Sequence, residues 1–239
     1  MDFECLHYSL GLAAGNGLTL RISAKYDILN SFGNEINFYC LNCMDWHLLP
    51  SATESMIADV ALAAQGRFTG DPSQEYEHTE MRIKGEGDDA TEEEVKVNEA
   101  SRLATTVSNI DKDASVVPRG AFIKSPCGNM QTNRSFGGLD PVEAVKLCNY
   151  LHLRELVNLK KKSILEMSHL NPAIDSLDPL SEDVPKGSWS LQLEGGGTVC
   201  ILHSLLWLGL TFFHVPQTPQ HGHIYMGDRL MNLDLPFML

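Results

Sequence analysis

The stretch Pro185–Pro216, PKGSWSLQLEGGGTVCILHSLLWLGLTFFHVP, constrains the fold more than any other part of the chain. It carries two of the three tryptophans, and its apolar run extends from Val199 to Phe213. Ser188–Leu193 alternates polar and apolar residues, with Trp189, Leu191 and Leu193 on one face, which is the period of a half-buried strand. Gly195, Gly196 and Gly197 then tolerate the positive φ that a tight turn demands. Thr198–Leu206 returns as a run of β-branched and aliphatic residues, as a more buried partner strand would. These features predict a terminal β-hairpin at about 188–206 that floors the core.

The rest of the chain is read around that hairpin. Phe3, Leu6, Leu10 and Ala13 recur at helical spacing, and Tyr26–Phe32 fits a second short helix. Ile36–Leu41 reads as a strand, and Ser51 is placed to cap a helix over Ala52–Gln65. Leu103, Val107 and Ile110 mark a helix from about Glu94 to Asp113. Short strands follow at Val116–Val117 and Ala121–Lys124. Asp140 and Pro141 open a helix to about Tyr150, with Val142, Val145 and Leu147 inward. Asn171–Pro185 reads as a surface connection. The expected fold class is α+β, with a mostly antiparallel sheet as core and helices at its periphery. Trp46, Trp189 and Trp207 are the expected structural core.

Charge narrows the function. The net charge is −13, and Asp71–Glu99 holds eleven acidic residues against three basic ones. Such a balance opposes binding to a phosphate backbone or to an acidic membrane surface, so neither nucleic acid nor membrane is an expected partner. No apolar run reaches the length of a membrane span. Met1-Asp2-Phe3-Glu4 is acidic where a signal peptide is basic, and six cysteines fit reduced thiols in the cytosol. The polar centre of the acidic segment, Gly85–Glu94, is expected to be a solvated loop, with acidic character over about 82–98.

Chemistry candidates are few. Cys40, Cys43 and His47 have the flavour of metal ligands, but a structural zinc site needs a fourth ligand, and no second cysteine pair supplies one. Two half-buried thiols are the plainer reading. His203 is expected in a strand, and His221 and His223 in a loop. Gly195–Gly197 lies between strands and lacks the helix and lysine of a phosphate cradle. No acid–base pair or nucleophile constellation emerges, so no enzymatic activity and no cofactor are expected.

Longer runs carry a resemblance. Leu41-Asn42-Cys43, Trp46, Leu48-Leu49-Pro50 and Ala52-Thr53-Glu54 come first. Gly66-Arg67-Phe68, Gly70–Ser73, Glu75–Glu80 and Pro118–Ala121 follow, then Pro185–Ser190, Ser204–Trp207, Gly209–Phe212 and Asp234–Leu239. In these runs, from about Tyr39 to the C-terminus, the chain resembles the radial spoke head subunit family of motile cilia and flagella. A strand block of that family is absent where Ser31–Asn37 stands here, so residues 1–38 are atypical and shortened. The resemblance implies one domain over 1–239 and a non-enzymatic subunit of the axonemal radial spoke head. It implies roles in cilium assembly and movement. The partners it implies are other head subunits of the 4/6 type and spoke proteins, with transient contact to the central-pair projections. Glu86, Asp88, Asp89, Glu92, Glu93 and Glu94 are then candidate partner-binding residues, as are Leu235, Phe237 and Leu239 of the apolar tail. The reading from another class is a cytosolic β-rich ligand-binding domain, which would need a large enclosed apolar cavity.

Overall fold

Antiparallel strand pairing organises the described part of the chain. The structure, a computed structural model, describes residues 20–24, 38–40, 47–69, 71, 73–83 and 90–238. The helices expected at Phe3–Ala13 and Tyr26–Phe32 lie outside these residues, as do Cys43 and Trp46. The class is α+β with mostly antiparallel sheet, as the sequence indicates.

The main sheet is antiparallel throughout and has the order β10-β11-β12-β13-β1-β2-β3. Its C-terminal half is a meander of β10 (Trp189–Glu194), β11 (Val199–Ser204), β12 (Leu210–His214) and β13 (His221–Met226). Its other half is β1 (Leu20–Ala24), β2 (Phe38–Cys40) and β3 (His47–Leu48). Strand β1 pairs with β13, Ile22 opposite Ile224, so N-terminal and C-terminal strands share one sheet.

The hairpin forms as expected. Trp189 pairs with Ser204 and Glu194 with Val199, and all three turn glycines have positive φ. It lies at the sheet edge, so its apolar face is only partly covered: Trp189 is buried, Leu191 half-buried and Leu193 44% exposed. Strand β11 is buried almost throughout, as its continuous apolar sequence implies.

Above the sheet lies α2 (Glu99–Ala114); before it in the chain come α1 (Glu54–Ala63) and the ribbon of β4 (Glu75–Ile83) and β5 (Ala90–Asn98). Leu103, Val107 and Ile110 of α2 join Trp189, Leu202, Trp207, Leu210, Phe212 and Tyr225 in one buried cluster. Trp189 and Trp207 are therefore core residues. Phe212 meets Tyr150 edge to face, with ring centroids 5.6 Å apart.

Several expectations are corrected. Ala90–Glu94, expected within a solvated loop, belong instead to a strand of a two-stranded ribbon, with Glu75 opposite Asn98 and Ile83 opposite Ala90, while Gly85–Asp89 lie outside the described residues. Val95 and Val97 are buried while Glu94 and Lys96 are exposed, a period of two that overrides the helical propensity of the glutamate run. Helix α2 accordingly starts at Glu99 rather than about Glu94. Asn98 is its cap, with Oδ1 accepting the Ser101 N–H at 2.8 Å. Thr53, not Ser51, caps α1, accepting the Met56 N–H at 3.2 Å.

The helix expected from Pro141 is one turn, α3 (Pro141–Ala144), followed by a 3-10 turn at Leu147–Asn149. Val142 and Val145 are 70% and 41% exposed; Ala144 is the buried member. Tyr150 begins β9 (Tyr150–His152), paired with β6 (Val116–Pro118), and a small hairpin joins β7 (Phe122–Lys124) to β8 (Met130–Thr132).

The Asn171–Pro185 connection is no surface strap: Leu177, Asp178 and Leu180 are buried. Asp178 accepts the backbone N–H groups of Val157, Asn158 and Leu159 at 2.6, 3.0 and 2.6 Å. Burial opposes its ionisation, yet these three donors outweigh burial and hold the carboxyl below its ordinary pKa.

Candidate partner-facing surfaces

The β4–β5 ribbon has two unlike faces. Val95 and Val97, with Tyr76, pack on Val60, Ala64 and Met56 of the α1 region. The opposite face presents Glu75, Glu77, Glu94 and Lys96 to solvent. Lys96 stands directly opposite Glu77, and its Nζ lies 2.9 Å from Glu77 and 3.8 Å from Glu94. The hydrogen bond that Lys96 donates to Glu77 and the surrounding carboxylates raise the Lys96 pKa. Of the candidate acids, Glu94 is described and exposed. Glu92 and Glu93 stand in β5 opposite Met81 and Glu80, and Glu86, Asp88 and Asp89 lie outside the described residues.

What anchors this ribbon is a buried cluster that sequence reasoning missed. Arg102 of α2 is fully buried. Its Nη1 donates to Glu99 Oε2 and to Tyr76 Oη, both at 2.6 Å. Its Nη2 donates to the carbonyls of Gly66 at 2.8 Å and Arg67 at 3.2 Å. Glu99 Oε1 accepts from the Thr69 backbone N–H and hydroxyl. The guanidinium carbon sits 4.5 Å from the Tyr76 ring centroid. One side chain thus ties the loop after α1, the ribbon and α2 together. Three-residue spacing of Glu99 and Arg102 next to Leu103 was the visible signal, but such pairs usually lie on exposed helix faces.

At the C-terminus, α5 (Leu235–Met238) divides the candidate tail. Leu235 is 2% exposed and packs within the chain, whereas Phe237 is 88% exposed; Leu239 lies outside the described residues. A second exposed apolar group is Ile164 and Leu165 of the one-turn helix α4 (Ile164–Met167).

Of the three metal candidates, Cys40 and His47 are described and Cys43 is not. Cys40 lies in β2, and exposed His47 rests against Tyr39 with ring centroids 5.5 Å apart. Among the described residues no group of three histidine, cysteine or acidic side chains could hold an ion.

His221 and His223 are not loop residues; both belong to β13, and buried His223 accepts the Val116 N–H on Nε2 at 3.0 Å. His214 is also buried, its Nε2 accepting the Leu139 N–H at 3.2 Å and its Nδ1 donating to the Gln220 carbonyl at 3.0 Å. Those partners fix the neutral ring. Burial lowers the His214 pKa below its ordinary 6.5 and outweighs the Gln220 bond; burial likewise lowers that of His203.

A lowered histidine pKa means that the unfolded chain binds the proton first on acidification. The stability from neutral His214 is complete above about pH 6.5 and declines as pH falls toward the folded-state value. Urea unfolding between pH 7.5 and 5.5 should lose up to about 1.4 kcal/mol per pH unit for each such histidine. A His214→Gln chain should show a shallower slope; an unchanged slope would contradict the assignment.

No family model matches the chain. A curated protein of Danio rerio named radial spoke head protein 9 homolog is 66% identical over 277 aligned positions, which cover all of both chains. This chain has 239 residues, so that relative carries positions with no counterpart here. The Xenopus tropicalis protein of the same name is 49% identical, over 93% of this chain and 83% of its own length. The Homo sapiens protein of that name is 50% identical, over 84% and 73% respectively.

Proposed function

The chain belongs to the radial spoke head protein 9 family, and from that membership we propose that it is a structural, non-enzymatic subunit of the radial spoke head in the ciliary or flagellar axoneme. The observation that carries the reading is 66% identity to a relative of that name across the whole chain. The paired termini, β1 against β13, support treating 1–239 as one unit.

Within the head, the chain contacts 4/6-type subunits, and the outer face of the β4–β5 ribbon engages a basic surface on a partner subunit or on the central-pair projections. Support comes from Glu75, Glu77 and Glu94, which are exposed on a ribbon whose opposite face is anchored by Val95, Val97 and Tyr76. Anchoring fixes the charges in space, and exposure keeps their contacts salt-sensitive and reversible, as repeated engagement during beating requires. Phe237 is a second contact candidate because it remains exposed while Leu235 holds its helix to the chain.

A chain with Glu75, Glu77 and Glu94 changed to Gln is expected to keep its thermal stability. It should bind the head subunits about tenfold more weakly at low salt, with the difference shrinking above about 0.3 M salt. Equal binding at both salt concentrations would reduce the ribbon to a solubilising feature. The ligand-binding alternative gains no support from the described residues. Their cleft between α1, α2 and the segment after β13 is open and lined by Gln65, Asn109 and Arg229.

A further inference from the structure

That cleft, about 330 Å³, is bounded by Gln65 at the end of α1, Thr106 and Asn109 on α2, Trp207 before β12, and Arg229 and Leu230 after β13. It is an unusual place for a chain of net charge −13, because its central group is cationic.

Arg229 is held there by its surroundings. Its backbone is left-handed, with φ +80°, a conformation uncommon for a side chain of this size. Its N–H donates to Tyr225 Oη at 2.9 Å, and its Nη1 donates to the carbonyl of Ala64. Those bonds occupy the backbone and one guanidinium nitrogen. Nε and Nη2, the edge that pairs side by side with a carboxylate, have no partner among the described residues.

Among the described residues no carboxylate forms an ion pair with Arg229. Neighbouring Asp228 reaches Arg67 instead, at 3.2 Å. Glu99 is bonded to Arg102. Burial, and then repulsion from Arg102, lower the Arg229 pKa. A second donor is also unmet: Trp207 is 6% exposed, and its buried indole N–H has no acceptor among the described residues. Unsatisfied buried donors are uncommon in folded proteins and call for a reason.

We propose that this cleft receives an acidic side chain of a partner protein, whose carboxylate pairs with the free edge of Arg229 beside Asn109 and Trp207. The cleft is open and has room for an inserted side chain, and a single carboxylate supplies the counter-charge that Arg229 lacks among the described residues. The subunit reading is used only to name a protein as the source of that carboxylate; the binding itself is testable on the isolated chain.

The probe is the peptide acetyl-Gly-Glu-Gly-amide, with acetyl-Gly-Gln-Gly-amide as control, titrated into isotope-labelled full-length protein. The Nε–H signal of Arg229 and the indole N–H signal of Trp207 should shift saturably with the Glu peptide below about 20 mM and remain unmoved by the Gln peptide. Asn109 is exposed, so Asn109→Asp should fold normally while placing a negative charge in the cleft, weakening the Glu peptide at least about fivefold. Equal shifts with both peptides, no shift by about 20 mM, or unchanged affinity in Asn109→Asp would each overturn the proposal. These outcomes do not depend on incorporation into spokes, so they separate failure of the cleft from failure of the subunit reading.

Discussion

Arg102→Met should destabilise the chain by about 3–5 kcal/mol, measured by urea unfolding, and lower its melting temperature by roughly 10 °C. The substitution keeps most of the stem but removes every donor that Arg102 supplies to the cluster. Glu99 would remain buried, at 2% exposure, with its cationic partner gone. The carbonyls of Gly66 and Arg67 and the Tyr76 hydroxyl would lose their bonds from the same side chain. An uncompensated buried charge dominates the cost, because desolvation of Glu99 is no longer offset. Adding Glu99→Gln to Arg102→Met should therefore recover part of the loss, although each change alone is harmful. The ribbon should also become a preferred site of proteolysis in Arg102→Met, since its anchor to α2 is removed. A loss below about 1 kcal/mol would show that the cluster does not hold the ribbon.

Gly209→Ala should cost about 3 kcal/mol, well beyond the effect of the same change at Gly196. Both glycines have positive φ, +92° and +70° respectively. A methyl group at Gly196 would meet nothing within 4 Å, so only the conformational penalty of about 1–2 kcal/mol applies there. At Gly209 it would run into the Met226 carbonyl and the Gly227 Cα, which are backbone atoms and cannot rotate aside. The Met226 N–H also donates to the Gly209 carbonyl at 3.0 Å, so displacement would disturb the register of β12 with β13. Paired thermal melts of the two variants separate collision from strain; similar losses would contradict the close approach.

The hairpin was legible in the sequence because strand period, turn chemistry and the buried run of β11 agreed over Trp189–Ser204. The helix stripe at Leu103, Val107 and Ile110 was legible for the same reason. What sequence could not supply was nonlocal. Strand β1 is only five residues and gains its place by pairing with β13, some two hundred residues away. Glu94–Asn98 carried two signals, the helix propensity of glutamate and the alternation of Val95 and Val97, and packing on α1 decided between them.

The proposed contact surfaces divide along similar lines. The acidic charge of the ribbon was visible in composition, but its anchored geometry was not, because Arg102 looks in sequence like any exposed helical arginine. Arg229 was equally silent: its left-handed backbone and its contacts with Tyr225 and Ala64 have no local signature. Asp178, within a segment read as a surface connection, gains its buried position by accepting three backbone donors that no local pattern announces.

The central claim is that this chain is built into the spoke head of the axoneme. Its direct measurement is fractionation of motile cilia in which the tagged chain replaces the resident family member. After detergent removes the membrane and soluble matrix, the chain should remain with the axoneme and cross-link to other spoke head subunits. Recovery of the chain entirely in the detergent-soluble fraction, with the axonemes lacking it, would contradict the account.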